Sequence, residues 1–309
     1  MRPRRAPNPG QLYEITTRVR DRLMLLRPSK QVNDIIVGVI GRAQHELEVD
    51  MQLHAFVFMS THYHMLATFG SAKDQSKFVG FINGNITRSL NELNERRGGA
   101  WDGPFKSIPV SQDRPTQEYR LRYILAHGVK EKLVRRAQDW PGASSLPWLL
   151  REEAICGTWT DLTASDRAER RKGHVPTPGE FDTEYELQMT TLPCWQALPP
   201  EEWRGLVAET VEEIEAEAEA ERVALGVEVL GVEAVLAADP YAKIPKQRRS
   251  RAPSVHALDK AVRKLLTEGL RALNMAYTEA SRRFRAGEWD VVFPAGMFRP
   301  LGGFVAQAT

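Results

Sequence analysis

Two histidines with one residue between them, His62 and His64, are the sharpest chemical feature of this sequence. Side chains at positions i and i+2 of a β-strand project from the same face, so a strand would place both imidazoles side by side. Two neutral imidazoles about 6 to 7 Å apart along a strand can converge on one divalent metal ion. A His-x-His pattern also arises by chance, so the pair on its own is weak evidence for a metal site.

A tyrosine and a third histidine, Tyr123 and His127, stand four residues apart. On a helix this spacing puts both side chains on one face. A phenol one turn from an imidazole ligand could attack a phosphate in line while the metal neutralises the charge of that phosphate. The alternative is structural, with Tyr123 as a half-buried aromatic and His127 as a histidine favoured at a helix C-terminus just before Gly128. Residue types and spacing leave both interpretations open.

The elements that must position these residues alternate between strand and helix along the first half of the chain. Alternating apolar and polar residues predict strands, and apolar stripes at helical spacing predict helices. The predicted order is strand Leu12–Arg18, a helix capped by Ser29, strands Met51–Met59 and His62–Phe69, helix Lys73–Arg97, strand Phe105–Val110 and a segment Pro115–Ala137 that is helical up to Gly128. This order predicts an α+β fold with a ferredoxin-like β-α-β-β-α-β core and an appended helix that carries Tyr123. Helices should cover one face of the sheet and leave the other for a ligand.

The second half of the chain, residues 148–309, is expected to be a mainly α-helical accessory region. It contains an acidic helix over 200–225, a basic linker over 243–251 and an amphipathic helix over 254–286. The acidic helix has few apolar positions, so we expect it to present a solvated face. Residues 150–200 lack clear periodicity and are expected to form loops with short helices.

Charge is distributed unevenly along the chain. Nine glutamates and two arginines between Glu201 and Arg222 give that segment a balance of −7, which leaves +9 for the rest of a chain whose net charge is +2. A basic body with a segregated acidic helix suits a polyanionic partner, and nucleic acid is the leading candidate. The alternative is an ordinary mixed surface, and charge alone does not separate the two.

The composition excludes several other classes of protein. No apolar run approaches the roughly 20 residues of a membrane-spanning helix, so no membrane partner is expected. The two cysteines, Cys156 and Cys194, form no C-x-x-C pair, which excludes a disulfide scaffold and a cysteine-rich zinc site. A reducing cytoplasm is therefore the expected compartment, with association to the nucleoid when DNA is bound.

Taken together, the motifs resemble those of the single-tyrosine HUH transposases, in particular the REP-associated tyrosine transposases. The segment from His54 to Ala67 is similar to the histidine strand of that family, and the segment from Tyr123 to Val134 is similar to its nucleophile helix. The residues Asp139-Trp140-Pro141 and Ser144-Ser145 of this chain are similar to the Trp-Pro-x-Ser-Ser element of the family. The resemblance covers about residues 10–147 and implies a catalytic domain over residues 1–147.

The resemblance implies a metal-dependent single-stranded DNA endonuclease and strand transferase, a transposase that acts at or near DNA hairpins. In such an enzyme His62 and His64 would hold Mg²⁺ or Mn²⁺, and Tyr123 would form a 5′-phosphotyrosine intermediate. The family usually has Asn or Gln as the remaining metal contact where this chain has His127. An imidazole at that place shifts the preference from Mg²⁺ towards Mn²⁺, Zn²⁺ or Co²⁺. Tyr119, one helical turn before Tyr123, is the rival nucleophile.

Candidate DNA contacts are basic and aromatic residues, because cations bind phosphates and aromatic rings stack on unpaired bases. They are Arg18, Arg20, Arg22, Trp101, Arg120, Arg122, Lys130, Arg248 and Arg249. For each basic residue the alternative is an ordinary position on the solvated surface. The expected partner is single-stranded or hairpin DNA, and the sequence leaves open whether a homodimer forms and whether the tyrosine acts in cis or in trans.

Two further expectations concern the competing function and the other histidines. The competing function is that of a domesticated protein that holds DNA hairpins without cutting them. His54 is expected to be a satisfied core group or a supporting group rather than a ligand. His45, His174 and His256 have no partners that the sequence reveals and are expected at the surface.

Overall fold

A computed structural model describes residues 9–171, 177–242 and 253–300, and its first half forms one four-stranded sheet. The elements in chain order are β1 (Leu12–Arg18), α1 (Lys30–Glu46), β2 (Met51–Met59), β3 (His62–Phe69), α2 (Ala72–Leu93) and β4 (Lys106–Pro109). The strands lie in the order β2-β3-β1-β4, and every neighbouring pair is antiparallel. The predicted α+β fold with a ferredoxin-like core is confirmed.

Local signals in the sequence explain where these elements begin. The side chain of Ser29 accepts a hydrogen bond from the backbone N–H of Val32 and caps α1, and Ser71 caps α2 through the N–H of Asp74. Ser60 and Thr61 form the turn between β2 and β3. A two-residue connection holds the two strands in register, and this register determines which side chains share a face.

The two faces of the sheet are covered by different helices. α1 and α2 pack on the face that carries Phe56, Phe58, Tyr63 and Met65 in one apolar cluster. Because side chains alternate along a strand, the neighbours His62, His64 and Leu66 project from the opposite face.

The opposite face is covered as well. α3 (Arg114–Leu125) and α4 (His127–Lys130) contribute Leu121, Ile124 and Val129 to a second apolar cluster, which also contains Leu66 of the sheet. The expectation that this face stays open for a ligand is therefore wrong, because α3 and α4 pack on it. The segment expected to be helical from Pro115 up to Gly128 forms α3, which ends at Leu125, and the short α4 follows it.

The segment from Trp140 to Ser145 covers the exposed edge of β2. Trp140 donates its indole N–H to the carbonyl of Phe58 at 3.1 Å, and Ser145 exchanges hydrogen bonds with the backbone of Phe56. An uncovered edge strand presents unpaired backbone groups, which these contacts satisfy. The element therefore anchors the chain that returns from α3 and α4 onto the sheet.

The acidic helix is present as predicted, but its environment differs from the expected one. The next elements are α5 (Leu146–Arg151), β5 (Cys156–Thr160), α6 (Leu162–Glu169), β6 (Asp182–Glu186), α7 (Pro200–Leu225) and α8 (Val232–Ala237). In α7 the side chains of Trp203, Val207, Val211 and Ile214 are buried in the same cluster as α3. The expectation of a solvated helix is wrong, because four apolar residues at helical spacing suffice to dock one face while the glutamates keep the other in water.

The region over residues 150–200 contains a two-stranded antiparallel sheet, where loops with short helices are expected. β5 and β6 pair antiparallel and pack on α1. The contact requires a glycine, because a Cβ on Gly38 of α1 would overlap the backbone of Thr158. This close approach depends on a distant partner, so periodicity alone does not reveal it.

The last helix begins later than expected. α9 spans Lys260–Arg285 and is capped by the side chain of Asp259, whereas the prediction began it at residue 254. The preceding residues are extended, and His256 forms a parallel bridge with Val110 beside β4. The basic linker over 243–251, with Arg248 and Arg249, lies outside the described residues. Among the described helices, none is long and apolar enough to cross a membrane.

Candidate metal and tyrosine site

The three predicted histidines come together at the polar end of the second sheet face. His62 and His64 project from β3, and α4 brings His127 over them. One ligand atom from each residue lies within 4.8 Å of the others. The Nε2 atoms of His62 and His127 are 3.3 Å apart. The structure thus unites residues that are 65 positions apart in the chain.

The outer nitrogen of each ring has a partner, which orients the inner one. His64 donates its Nδ1–H to Glu14 at 2.7 Å, and His127 donates its Nδ1–H to the carbonyl of Tyr123 at 3.0 Å. The Nδ1 atom of His62 lies 3.0 Å from the hydroxyl of Thr61. A hydrogen bond at one ring nitrogen sets which nitrogen keeps its lone pair. The arrangement leaves the Nε2 atoms facing the centre of the cluster.

The donor set fits a divalent transition metal. Nitrogen ligands at about 2.0 to 2.1 Å from a tetrahedral ion lie about 3.3 to 3.4 Å from each other, and the observed separation of the His62 and His127 Nε2 atoms is 3.3 Å. Imidazole nitrogen suits Zn²⁺, Co²⁺ and Mn²⁺ better than Mg²⁺, which prefers oxygen ligands. The cluster could therefore hold a metal ion.

The electrostatic environment keeps two of the imidazoles neutral. Burial, followed by the charge of the neighbouring His64, lowers the pKa of His127 to about 3. Burial, followed by the charges of His64 and His127, holds the pKa of His62 well below its usual value of 6.5. Since only the neutral form of imidazole binds a metal, both side chains are in the ligating state at neutral pH.

Tyr123 of α3 lies directly beside the cluster. Its ring centroid is 4.7 Å from that of His127 and 5.3 Å from that of His64. Burial raises the pKa of the phenol, and the guanidinium of Arg120, 4.1 Å from the ring centroid, opposes that shift. The rival tyrosine, Tyr119, is half exposed on the same helix. Both halves of the proposed chemistry, imidazoles and phenol, therefore come from one chain.

Two residues that the sequence analysis did not select complete the surroundings. Glu14 of β1 is 2% exposed, and its carboxylate contacts both His64 and Arg120. The Nε2 atom of His256 lies 2.9 Å from the same carboxylate, so the expectation of a surface position for His256 is wrong. Glu14 could have been found from the sequence, because the alternation of side chains along the predicted strand Leu12–Arg18 places this charged residue on a face that is otherwise packed. His256 has no such signal, because only tertiary contacts bring its segment to β4.

The basic candidates for DNA contact separate into two groups. Arg18, Arg20 and Lys130 are exposed, and Arg22 is partly buried. The charge of Arg18 acts on both His62 and Tyr123, and Lys130 Nζ lies 5.3 Å from the centroid of the Tyr123 ring. Arg18 and Lys130 therefore lie beside the site.

Three other candidates have partners within the protein itself, and their contact with DNA stays a prediction. Arg120 is buried and ion-paired with Glu14. Arg122 pairs with two glutamates of the docked helix α7, at 3.0 and 2.6 Å. Trp101 packs against Tyr63 and donates its indole N–H to the carbonyl of Asn83 at 2.9 Å. In each case the side chain binds a buried or acidic partner that lies far away in the sequence.

Comparison with solved structures finds proteins of the kind that the motifs resemble. A REP-associated tyrosine transposase bound to a REP hairpin matches 47% of this chain and 82% of its own, at 19% identity and a TM-score of 0.37. This chain is similar to it. A protein from Deinococcus radiodurans R1 that has been assigned as a transposase matches 39% of this chain and 95% of its own, at 17% identity and a TM-score of 0.27.

The other comparisons give no match. No protein-family model matches the chain, and a search of curated proteins finds no match.

Proposed function

We propose that this protein is a metal-dependent single-stranded DNA endonuclease and strand transferase, a transposase-type enzyme whose nucleophile is Tyr123. The observation that carries the proposal is the convergence of His62, His64 and His127 beside the ring of that tyrosine. Burying three imidazoles costs free energy of desolvation that apolar residues at the same positions would not cost. Such a cost favours a functional role for the cluster.

The three histidines are proposed to hold a divalent ion through their Nε2 atoms. When bound, the ion would supply Lewis-acid stabilisation of charge on a phosphate oxygen. The nitrogen-rich donor set favours Mn²⁺ over Mg²⁺ as that ion. The contribution of the chain itself is to keep His62 and His127 neutral and to hold the tautomers through Glu14, the Tyr123 carbonyl and Thr61.

Tyr123 is proposed to carry out one transesterification. A bond forms between its phenolic oxygen and the scissile phosphorus while the bond from phosphorus to the 3′ oxygen breaks. The phenolic proton passes to solvent, and the departing oxygen takes up a proton, so the products are a free 3′-hydroxyl and a 5′-phosphotyrosine. Attack by a 3′-hydroxyl on the phosphotyrosine reverses the step, which joins strands without ATP.

The DNA is proposed to approach from the side of Arg18, Arg20 and Lys130. These exposed cations would contact the phosphates on either side of the scissile bond. The opposite flank is less suitable, because glutamates of α7 neutralise Arg122 and Lys132. Hairpin or single-stranded DNA as the partner, and a cytoplasmic location, are part of this proposal.

A homodimer is not needed to assemble the proposed site. Tyr123 and the imidazoles come from the same chain, with ring centroids 4.7 and 5.3 Å apart. We therefore propose that the tyrosine acts in cis, and that any dimer serves another purpose.

The proposal is tested with a labelled oligonucleotide that contains a hairpin followed by a single-stranded tail. With Mn²⁺, the wild-type protein should form a covalent adduct that survives SDS. Tyr123→Phe should abolish the adduct because no phenolic oxygen remains, while hairpin affinity measured by fluorescence anisotropy stays within about twofold. Tyr119→Phe is the matched control on the same helix and should retain the adduct.

Two outcomes would contradict the proposal in different ways. Loss of the adduct in Tyr119→Phe but not in Tyr123→Phe would assign the nucleophile to Tyr119. Tight hairpin binding by the wild type with no adduct under any divalent ion would favour the non-cleaving hairpin-binding function instead.

A further inference from the structure

Glu14 is a buried carboxylate with charged or polar partners from three other segments. Its Oε1 atom accepts a hydrogen bond from His64 at 2.7 Å, and its Oε2 atom accepts one from Arg120 Nε at 2.7 Å. His256 Nε2 lies 2.9 Å from Oε2. These partners belong to β3, to α3 and to the extended segment before α9. Burial opposes ionisation, and the hydrogen bonds and charges of these partners outweigh it, so the pKa of Glu14 is held far below its usual value.

Each of the two strongest contacts of Glu14 leads to a group of the proposed reaction. His64 contributes one ring nitrogen to the imidazole cluster, and because its Nδ1 is bonded to Glu14, that nitrogen is Nε2. The guanidinium of Arg120 lies 4.1 Å from the centroid of the Tyr123 ring. Glu14 is therefore the residue through which the cluster on β3 and the tyrosine on α3 are joined by polar contacts.

We propose that Glu14 is a positioning residue that holds the metal ligand His64 and, through Arg120, the nucleophile Tyr123 in one geometry, with His256 as its third support. The inference rests on the proposed function. A carboxylate that accepts the Nδ1–H of an imidazole fixes the tautomer with a free Nε2 and raises its strength as a ligand. The Arg120 side chain, held by the other oxygen, limits the orientations of the tyrosine ring.

A purely structural role is the competing explanation. In that case Glu14 serves only to neutralise the buried Arg120, and removing both charges together should restore the site, because a buried ion pair can often be replaced as a unit. A positioning role predicts that the site stays impaired in the double variant. The two explanations can therefore be separated by one cycle of variants.

The first measurement is the tautomer of His64 in the metal-free protein, read from ¹⁵N NMR shifts of the imidazole nitrogens. Wild type should show the proton on Nδ1. Glu14→Gln should shift the population towards the other tautomer, because the amide can donate to Nδ1 as well as accept from it. A wild-type His64 with its proton on Nε2 would overturn the inference whether or not the protein binds a metal.

The second measurement is affinity for Co²⁺ alone, followed by its absorption spectrum. Glu14→Gln should weaken binding by about 10- to 100-fold, the usual effect of removing a carboxylate that supports a histidine ligand. His256→Gln should weaken it less, since His256 touches the carboxylate and not the imidazole. The double variant Glu14→Gln with Arg120→Met should remain as weak as Glu14→Gln.

The matched control is Glu118→Gln on α3. Glu118 pairs with Arg114 and with the indole of Trp195, so Co²⁺ affinity should stay within about twofold. Recovery of affinity in the double variant, or unchanged affinity in Glu14→Gln, would overturn the inference while leaving the DNA chemistry of the wild type intact. Wild type that binds Co²⁺ as expected but forms no DNA adduct would contradict the proposed function and not the role of Glu14.

Discussion

His54 and the cluster of His62, His64 and His127 lie on the same side of the sheet. They differ in the partner of the second nitrogen of each imidazole ring. His54, at a bulge in β2, is fully buried with Nδ1 2.7 Å from the carbonyl of Thr191 and Nε2 3.3 Å from the hydroxyl of Thr68. In the cluster of His62, His64 and His127, protein groups contact the outer nitrogens while the inner ones face each other.

Burial and a lowered pKa do not separate these two groups. Burial lowers the pKa of His54 to about 4 and that of His127 to about 3. A histidine whose two nitrogens both have protein partners is a satisfied core residue, as expected for His54. A histidine with a directed but uncommitted nitrogen beside two others is a candidate ligand. The comparison teaches that the partner of the second nitrogen, and not burial, distinguishes a site from a core.

The largest expected effect comes from removing one member of the cluster. His127→Ala should weaken Mn²⁺ or Co²⁺ binding by more than about 100-fold, beyond the loss expected for a group that only supports a ligand. Isothermal titration calorimetry measures the affinity, and the same variant should form no DNA adduct. His54→Gln is the matched control and should bind metal within about twofold. Equal losses in both variants would break the comparison.

The second effect concerns stability against pH and depends on His54. Its pKa is about 4 in the folded protein and near 6.5 in the unfolded chain, so between these values the unfolded state binds more protons. Stability should therefore rise with pH from 4 to 6.5, and His54 should contribute about 3 kcal/mol to that rise. Urea unfolding of wild type at pH 4.5 and 7 measures it.

The control for the pH effect is His54→Gln, which removes the titrating group from the same buried place. Its stability should depend on pH less steeply than that of the wild type over this range. An unchanged slope would mean that other groups cause the whole pH dependence and that His54 is not held neutral by burial.

The smallest effect concerns the weakest support of the cluster. Thr61→Val removes the hydroxyl 3.0 Å from His62 Nδ1 and leaves a side chain of similar shape. A neutral hydrogen bond contributes about 0.5 to 1 kcal/mol, so metal affinity should fall by about two- to fivefold. Calorimetry with Co²⁺ resolves such a change. A loss as large as that of His127→Ala would mean that Thr61 does more than orient one ring.

The bounds of α7 could be predicted from the sequence, whereas its packing could not. Its bounds are those predicted, Pro200–Leu225, because prolines at its start and Gly226 at its end are local signals. The packing of α7 against α3 and α4 was not predicted. Four of its apolar residues are buried there, and its glutamates pair with Arg122 and Lys132, but these partners lie far away in the sequence. The boundary between a domain over 1–147 and an accessory region therefore stays a prediction.

The order of strands and helices, the common face of His62 and His64 and the common face of Tyr123 and His127 could all be predicted from the sequence. These features follow from the periods of strands and helices, which act over a few residues. The tertiary structure was needed to show that the histidines of β3 lie against Tyr123 and His127, and that Glu14 and His256 lie beside them. It was also needed to show that Arg120, Arg122 and Trp101 have partners within the protein. Such contacts join segments up to 242 residues apart, and their free energy depends on burial and partners that local spacing does not encode.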